Sequence, residues 1–177
     1  GPGAVQDAVA RTFSNELGQI LGASVIVENR AGAGGSVGTN AVAKSAADGN
    51  TLILSAASHH LGKYLYTKLP YDPVKDFVGV SYVGRSGYVV GASAPSGIQS
   101  IQDLVARARA EPGKLNYASA GNGSASHLAT ALLAAKAGVE MQHIPTKSTG
   151  DAITEVLSGR VEIVTGATVG MLAFQKD

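Results

Sequence analysis

Residues 117–127 read YASAGNGSASH, and an alanine- and leucine-rich segment follows them. This order predicts a strand that ends in a glycine–serine turn and leads directly into a helix. Glycines let a backbone approach a ligand closely, and the free N–H groups at a helix start favour an anion. Neutral donors and the helix dipole can therefore hold a carboxylate there. An ordinary capped helix start, with Ser124 or Asn122 as N-cap, explains the same stretch.

On both sides of this stretch, runs typical of strands alternate with runs typical of helices. The predicted strands cover residues 24–28, 51–55, 78–83, 88–92, 115–119, 141–145 and 161–165. The predicted helices cover residues 7–17, a segment from residue 36, 58–66, a segment from 100 to the Pro112-Gly113 pair, 124–137 and 151–157. Repeated strand–helix units imply an α/β fold with a mostly parallel sheet and helices on its faces.

Composition limits the function classes. The chain has 177 residues, of which 45% are hydrophobic, so one domain or two small ones can bury a core. The net charge is +1 and only 5% of residues are aromatic, so no nucleic-acid partner is expected. The chain has no cysteine, which excludes disulfides and thiol catalysis. Its apolar runs are too short to span a bilayer.

Four small-residue loops connect predicted strands to predicted helices. Open α/β sheets bind ligands beyond the carboxyl ends of their strands, so these loops are candidates for one shared cleft. Two loops come from each half of the chain: residues 31–35, 55–58, 119–126 and 166–168. Each loop taken alone is also typical of an ordinary strand–helix turn.

The sequence contains no complete catalytic, cofactor or metal motif, so no catalysis, cofactor or metal is predicted. The stretch from Gly32 resembles a dinucleotide fingerprint, but Val37 stands at its third glycine position and no acidic residue follows to hold a ribose. None of the four histidines has metal-ligand spacing. Ser126 and His127 are neighbours on one predicted helix, so their side chains do not face each other as a catalytic pair.

Six motifs in a fixed order carry a family resemblance. They are VENRAGAGG (27–35), ADGNTL (47–52), LPYDPVKDF (69–77), PGKLNY (112–117), residues 119–127, and GRVE (159–162). Together they closely resemble the extracytoplasmic solute-binding receptors of tripartite tricarboxylate transporters, the TctC or Bug family. The resemblance implies a non-enzymatic, two-lobed protein with the type II periplasmic-binding-protein architecture. Such a protein closes on a small di- or tricarboxylate, or a related organic acid, and delivers it to membrane permease subunits.

The resemblance also implies a division of the chain and a set of ligand-binding residues. Lobe 1 corresponds to residues 1–93 and lobe 2 to residues 94–177. Backbone amides and small hydroxyls of both lobes would bind the ligand. Those of lobe 1 are Gly3, Ser55, Ala56 and Ser58, and those of lobe 2 are Gly121, Asn122, Gly123, Ser124, Ser126 and Thr168. The implied location is the periplasm, after removal of a signal peptide.

The chain departs from the family pattern at both ends and in one loop. A first strand and a C-terminal return to lobe 1 are missing, so we expect a truncated form. Such a form would have exposed apolar surface or pair with another chain as a dimer or by strand exchange. The family often has Pro-Tyr-Lys-Gly where this chain has PTKS at 145–148. The identity of the carboxylate is therefore open.

Two other functions are compatible with the sequence. An α/β enzyme can bind a phosphorylated or nucleotide substrate through residues 31–35 or 121–126. These loops offer mainly glycine, alanine and hydroxyl groups, and no acid or base beside the anion site. A chain too incomplete to bind any ligand is the other alternative.

Overall fold

The computed structural model describes residues 4–172 and shows an α/β fold with helices packed around a mostly parallel sheet, which confirms the predicted class. The α-helices are α1 (Val5–Leu21), α2 (Ser36–Ala43), α3 (Ser58–Leu65), α4 (Ile101–Ala110), α5 (Ala125–Ala137), α6 (Thr149–Leu157) and α7 (Thr168–Leu172). The strands are β1 (Tyr88–Ala92), β2 (Asn116–Ser119), β3 (Gln142–Pro145) and β4 (Ile163–Ala167). Short 3-10 helices cover Ala33–Gly35 and Ala94–Ser96. No helix within the described range is long and apolar enough to cross a membrane.

The four strands form one sheet in the order β1-β4-β2-β3. β2 runs parallel to both β3 and β4, whereas β1 pairs antiparallel with β4, from Tyr88 opposite Ala167 to Ala92 opposite Ile163. The sheet is therefore mixed at one edge. The predicted lobe boundary assigns β1 to lobe 1, yet β1 is an edge strand of the sheet that the second half forms. The division at residues 93 and 94 stays a prediction.

Alternate side chains of β2 and β4 form two separate parts of the core, as the twofold period of a strand requires. Tyr117 and Ile163 pack with Leu104 and Leu115 on the face that α4 covers. The opposite face packs against α6 and contains Ala118, Ala152, Ile153, Val156, Val161 and Val164. Burial on both faces fixes the register of β2 against β4.

Three helices of the second half begin at a serine N-cap. Two of them, α4 and α5, begin as predicted, whereas α6 begins two residues before the predicted Asp151. The hydroxyl oxygens of Ser100, Ser124 and Ser148 accept hydrogen bonds from the backbone N–H three residues later, at 3.1, 3.3 and 3.1 Å. Each cap satisfies one donor that the first turn of a helix leaves unpaired. The start of α5 is therefore an N-capped helix, the ordinary alternative that the sequence left open.

The first helix is longer than predicted. The sequence predicts an end at Gly18, but α1 continues to Leu21 and its C-cap is Gly22, in the left-handed region with φ 62°. Gly18 lies inside the helix at a tight contact, since a Cβ there would lie 2.8 Å from the carbonyl oxygen of Ala23. This glycine serves close packing and Gly22 serves the helix end.

Three predicted strands of the first half are wrong as sheet elements. Residues 24–28, 51–55 and 78–83 have no ladder partner among the described residues. Their apolar side chains are largely solvent-exposed, with Ile26 at 85% and Val78 at 89%. A strand is stabilised by its neighbours, so an apolar β-branched run without a neighbour does not form a sheet.

Helix α3 is anchored by the proline-rich loop that follows it. The Nε2 of His59 lies 2.9 Å from the carbonyl oxygen of Pro73, and the His59 ring packs edge-on against Phe77. Burial lowers the pKa of His59, so the ring is neutral and donates this hydrogen bond. The anchored helix carries Tyr66, at its C-cap, toward the second half of the chain.

We predict that Ile163→Ala lowers the free energy of unfolding by about 2–5 kcal/mol, because it empties a fully buried position between β2 and α4. The matched control is Ile26→Ala, which removes the same atoms from a side chain that is 85% exposed and should change stability by less than about 0.5 kcal/mol. Urea unfolding of the 177-residue chain measures both. Equal losses from the two variants would contradict this placement of the core.

Candidate functional site

Two glycine-rich turns touch each other at the carboxyl end of β2. We call residues 31–35 the first glycine turn and residues 119–126 the second glycine turn. A Cβ at Gly34 would collide with the carbonyl oxygen of Asn122 and lie 3.1 Å from the backbone nitrogen of Ser124. A Cβ at Gly121 would lie 3.6 Å from the backbone nitrogen of Gly34. The two turns therefore meet backbone against backbone, and only glycine allows this approach.

The hydroxyl of Tyr66 bridges the two glycine turns. Its oxygen lies 2.9 Å from the carbonyl oxygen of Ala33 and 2.7 Å from that of Asn122. A phenol has a single proton, so Tyr66 shares it between one carbonyl of each turn. Burial raises the pKa of Tyr66, which keeps that proton in place at neutral pH. Ala33 itself has a left-handed backbone with φ 45°, a conformation that costs about 1–2 kcal/mol without glycine.

The second glycine turn satisfies several of its own backbone donors. The N–H of Gly121 donates to the Ser119 hydroxyl at 3.2 Å, and the N–H of Gly123 donates to Nδ1 of His127 at 3.1 Å. The N–H of Ser124 donates to the carbonyl of Gly121 at 3.1 Å. The sequence analysis treated the N–H groups of this turn as free donors, but these three are already paired. The hydrogen bonds of residues 4–172 leave the N–H groups of Asn122, Ala125 and Ser126 without an acceptor.

The hydroxyls of Ser124 and Ser126 have one proton between them that no described group accepts. Their oxygens lie 3.1 Å apart, and both side chains are 6% exposed. Ser124 accepts from the N–H of His127, while Ser126 accepts from the N–H of Ala120. One hydroxyl donates to the other, so the second hydroxyl proton has no acceptor among the described residues. The site thus offers neutral donors, and no lysine or arginine side chain within residues 4–172 forms a hydrogen bond to either turn.

Three aromatic rings stack behind the second glycine turn. The ring centroids of His127 and His143 are 4.1 Å apart, and those of His143 and Tyr117 are 4.9 Å apart, with all planes within 21° of parallel. Burial lowers the pKa of His127, and burial together with the charge of His127 lowers that of His143 to about 4. Both rings are therefore neutral near pH 7.

One serine–histidine pair forms that the sequence analysis did not expect, between Ser119 Oγ and His143 Nε2 at 2.6 Å. This pair is not an accessible nucleophile and base. Ser119 is fully buried, and its oxygen already accepts the N–H of Gly121. Among residues 4–172, no carboxylate acts on the His143 ring to orient it, and the low pKa of His143 makes it a weak base. Within the described residues, no group of three or more His, Cys, Asp or Glu side chains can hold a metal ion.

The loop at residues 166–168 lies at the same edge of the sheet as the second glycine turn, because β4 runs parallel to β2. Thr168 is used locally, since its N–H and its hydroxyl both donate to the carbonyl of Gly87, at 3.0 and 3.1 Å. The buried hydroxyl of Thr165 accepts from that of Thr130 on α5, which ties this helix to β4. Thr168 therefore lies at this edge of the sheet with its hydroxyl proton already donated, and its binding role stays a prediction.

The remaining predicted residues of lobe 1 lie farther away. Ser55 and Ala56 precede α3 and Ser58 begins it, whereas the far end of this helix contacts Gly123 through Leu65 and Tyr66. One length of α3, roughly 10 Å, separates Ser58 from that contact. No hydrogen bond among residues 4–172 joins these three residues to the second glycine turn. Gly3 lies outside the described residues. The binding role of all four stays a prediction.

Sequence reasoning missed Tyr66, His127 and His143 as parts of the site. Tyr66 looked like a packing residue, and it reaches Asn122 across 56 positions of sequence. His127 stands four positions after Gly123, a spacing that fits a side chain accepting a backbone N–H within one helical turn. This four-residue spacing was the one signal in the sequence that could have identified any of the three residues. The Ser119–His143 contact depends on the pairing of β2 with β3, which no local pattern specifies.

The sequence of this chain matches a known protein family and several of its members. A family model described as the tripartite tricarboxylate transporter family receptor, TctC, matches residues 9–176. A UPF0065 protein from the tcbD-tcbE intergenic region of Pseudomonas sp. strain P51 is 39% identical over 92% of this chain and 48% of its own length. Protein BugT of Bordetella pertussis is 41% identical over 90% of this chain and 50% of its own length. The chain thus spans about half the length of the curated relatives it matches.

Solved structures show the same fold. A Rhodopseudomonas palustris protein with adipate superimposes with a TM-score of 0.92 at 29% identity, over 98% of this chain and 58% of its own. MatC from Rhodopseudomonas palustris with bound malate gives a TM-score of 0.90 at 29% identity, over 98% and 59%. The periplasmic binding protein BugD gives 0.91 at 30% identity, over 98% and 58%. These matches confirm the predicted periplasmic-binding-protein architecture and its incompleteness in this chain.

We predict that Gly34→Ala destabilises the chain more than Gly22→Ala. Both glycines have nearly the same left-handed φ, 63° and 62°, so an alanine pays the same backbone cost at each. A Cβ at Gly22 meets nothing within 4 Å, whereas one at Gly34 collides with the second glycine turn. Gly34→Ala should therefore lower the free energy of unfolding in urea by about 1–3 kcal/mol more than Gly22→Ala does. It should also shift the amide resonances of Asn122 and Ser124. Equal stabilities with unshifted resonances would show that the two turns are not in contact.

Proposed function

The chain belongs to the tripartite tricarboxylate transporter receptor family, and on this premise we propose that it is the part of a periplasmic receptor that binds a small carboxylate at the second glycine turn. The family consists of solute receptors, not enzymes. The enzyme alternative is therefore set aside.

The observation that carries the proposal is the set of unused neutral donors within the second glycine turn. The N–H groups of Asn122, Ala125 and Ser126, together with one hydroxyl proton of the Ser124–Ser126 pair, have no acceptor within residues 4–172. Two of these N–H groups belong to the first turn of α5, where the helix dipole favours negative charge. A carboxylate has two oxygens with about four lone-pair sites, which matches this number of donors.

The energetics favour reversible capture. A hydrogen bond from a neutral donor to a charged acceptor contributes about 1.5–3 kcal/mol. A few such bonds can outweigh the cost of immobilising and desolvating the ligand, so the net free energy of binding is favourable without a buried ion pair. Two structural neighbours carry dicarboxylates in their names, adipate and malate. We infer the same chemical class, a dicarboxylate or related organic acid, for this chain.

The proposal extends to the residues and partners that the family resemblance implies. Gly3, Ser55, Ala56, Ser58 and Thr168 would contribute to the cleft around the far end of the ligand. Membrane permease subunits would receive the ligand, in the periplasm. Dimer formation and strand exchange, which the sequence analysis allowed, have no support in the comparisons and are not part of the proposal.

The class of ligand is tested by calorimetry on the complete gene product that contains residues 1–177. Adipate, malate and citrate are titrated at pH 7.5, with dimethyl adipate and inorganic phosphate as controls. We expect one of the carboxylates to bind, and the uncharged diester to bind at least tenfold more weakly because it lacks the charge that strengthens each hydrogen bond. Equal binding of acid and diester would contradict a carboxylate site, and phosphate binding alone would favour the nucleotide or phosphate alternative.

The position of the site is tested by a matched pair of cap variants. Ser124→Ala and Ser100→Ala each remove an equivalent N-cap hydrogen bond, so both should lose about 1 kcal/mol of stability. Only Ser124→Ala removes a hydroxyl from the proposed site, and we expect it to weaken carboxylate binding by about 2–10-fold. Ser100→Ala should bind like the parent. If both variants bind alike, the carboxylate is held elsewhere.

A further inference from the structure

We propose that His127 and His143 are positioning residues that hold the second glycine turn in its anion-binding shape, and that His127 makes carboxylate binding sensitive to acid. The proposal rests on the proposed function. The notable feature is that the two rings act on the two left-handed glycines of the turn, Gly121 and Gly123, with φ 105° and 74°.

His127 fixes Gly123 directly. Its Nδ1 accepts the N–H of Gly123 at 3.1 Å, so this nitrogen has no proton and the ring is the neutral Nε2–H tautomer. The bond closes a loop of four residues across the start of α5. With this N–H held by the ring, the adjacent N–H groups of Asn122 and Ala125 are constrained in direction.

His143 fixes Gly121 through Ser119. The Ser119 oxygen accepts the N–H of Gly121 at 3.2 Å and lies 2.6 Å from Nε2 of His143. It also lies 3.2 Å from the carbonyl oxygen of Gly121. The single hydroxyl proton can therefore go to the ring or to that carbonyl, according to the tautomer of His143. In either case the ring holds the serine oxygen under the glycine N–H.

The surroundings of the two rings contain no compensating charge. Strand β2 presents Tyr117 and Ser119, α3 presents Leu65 and Tyr66 to Gly123, and each histidine faces the other. Burial raises the pKa of both tyrosines, so both stay neutral. Within residues 4–172, no carboxylate, lysine or arginine shifts the pKa of either ring. Protonation is opposed only by burial and by repulsion between the stacked rings.

Acid should therefore release the turn. Because the folded-state pKa of each histidine lies below the ordinary value of 6.5, the neutral rings stabilise the folded turn above that pH. This stabilisation is lost as the pH falls through the folded-state values. A proton on Nδ1 of His127 replaces an acceptor with a donor facing the Gly123 N–H, so the bond cannot persist. If the imidazolium acted only as a cation, acid would instead strengthen carboxylate binding.

The test uses His127→Asn and His127→Leu in the complete gene product, with His60→Asn on the exposed face of α3 as control. Asn places an acceptor oxygen near the position of Nδ1 but does not titrate, whereas Leu removes the acceptor. We expect amide hydrogen exchange at Gly123 to quicken roughly tenfold in His127→Leu and to stay within about twofold of the parent in the other two variants. His143→Leu should quicken exchange at Gly121, and His143→Gln should restore it.

Affinity for the tightest-binding carboxylate of the panel is then measured from pH 7.5 down to the lowest pH at which circular dichroism shows a folded chain. The ligand titrates identically with every variant, so the ratio of parent to His127→Asn affinity isolates the histidine. We expect this ratio to fall by about tenfold on acidification. A constant or rising ratio, or unchanged glycine exchange in the leucine variants, would overturn the proposal. If no carboxylate binds, the proposed function fails, and glycine exchange in the asparagine and leucine variants still decides the positioning role.

Discussion

The close approach of Gly34 to the backbone of Asn122 is the constraint on which the rest of the site depends. No side chain fits between the first and second glycine turns, so their relative position is set by backbone contact and by the Tyr66 hydroxyl that bridges them. Tyr66 reaches this point because α3 is anchored by the loop around Pro73 and Phe77. The left-handed Ala33 shows that the first turn stores strain at this contact, as is common where a backbone is held for function.

The site works with neutral groups throughout. The second glycine turn uses its own donors at Gly121, Gly123 and Ser124 to fix its shape, whereas those of Asn122, Ala125 and Ser126 have no acceptor among the described residues. The two half-buried histidines are neutral near pH 7 and add no fixed charge. A receptor that must release its cargo benefits from this arrangement, because breaking a buried ion pair would leave an uncompensated charge in the cleft.

The second half of the fold could be predicted from the sequence, and the first half only in part. Local signals were sufficient for β2 and α5, since the short apolar run and the Ser124 cap agree with the observed elements. The strands predicted at 24–28, 51–55 and 78–83 failed because strand formation needs a neighbour, which a local pattern cannot supply. At the site, the sequence analysis identified the second glycine turn but wrongly treated all of its N–H groups as free. Those donors are used by Ser119 and His127, and their contacts depend on cap geometry and strand pairing.

The proposed site is tested most directly by a crystal structure of the complete gene product with the carboxylate that binds tightest. We expect one carboxylate group at the start of α5, with its oxygens about 2.7–3.1 Å from the backbone nitrogens of Asn122, Ala125 and Ser126. We also expect the first glycine turn to remain in contact with the second. A ligand whose carboxylate pairs with a lysine or arginine side chain, and leaves these three N–H groups unused, would contradict the central claim.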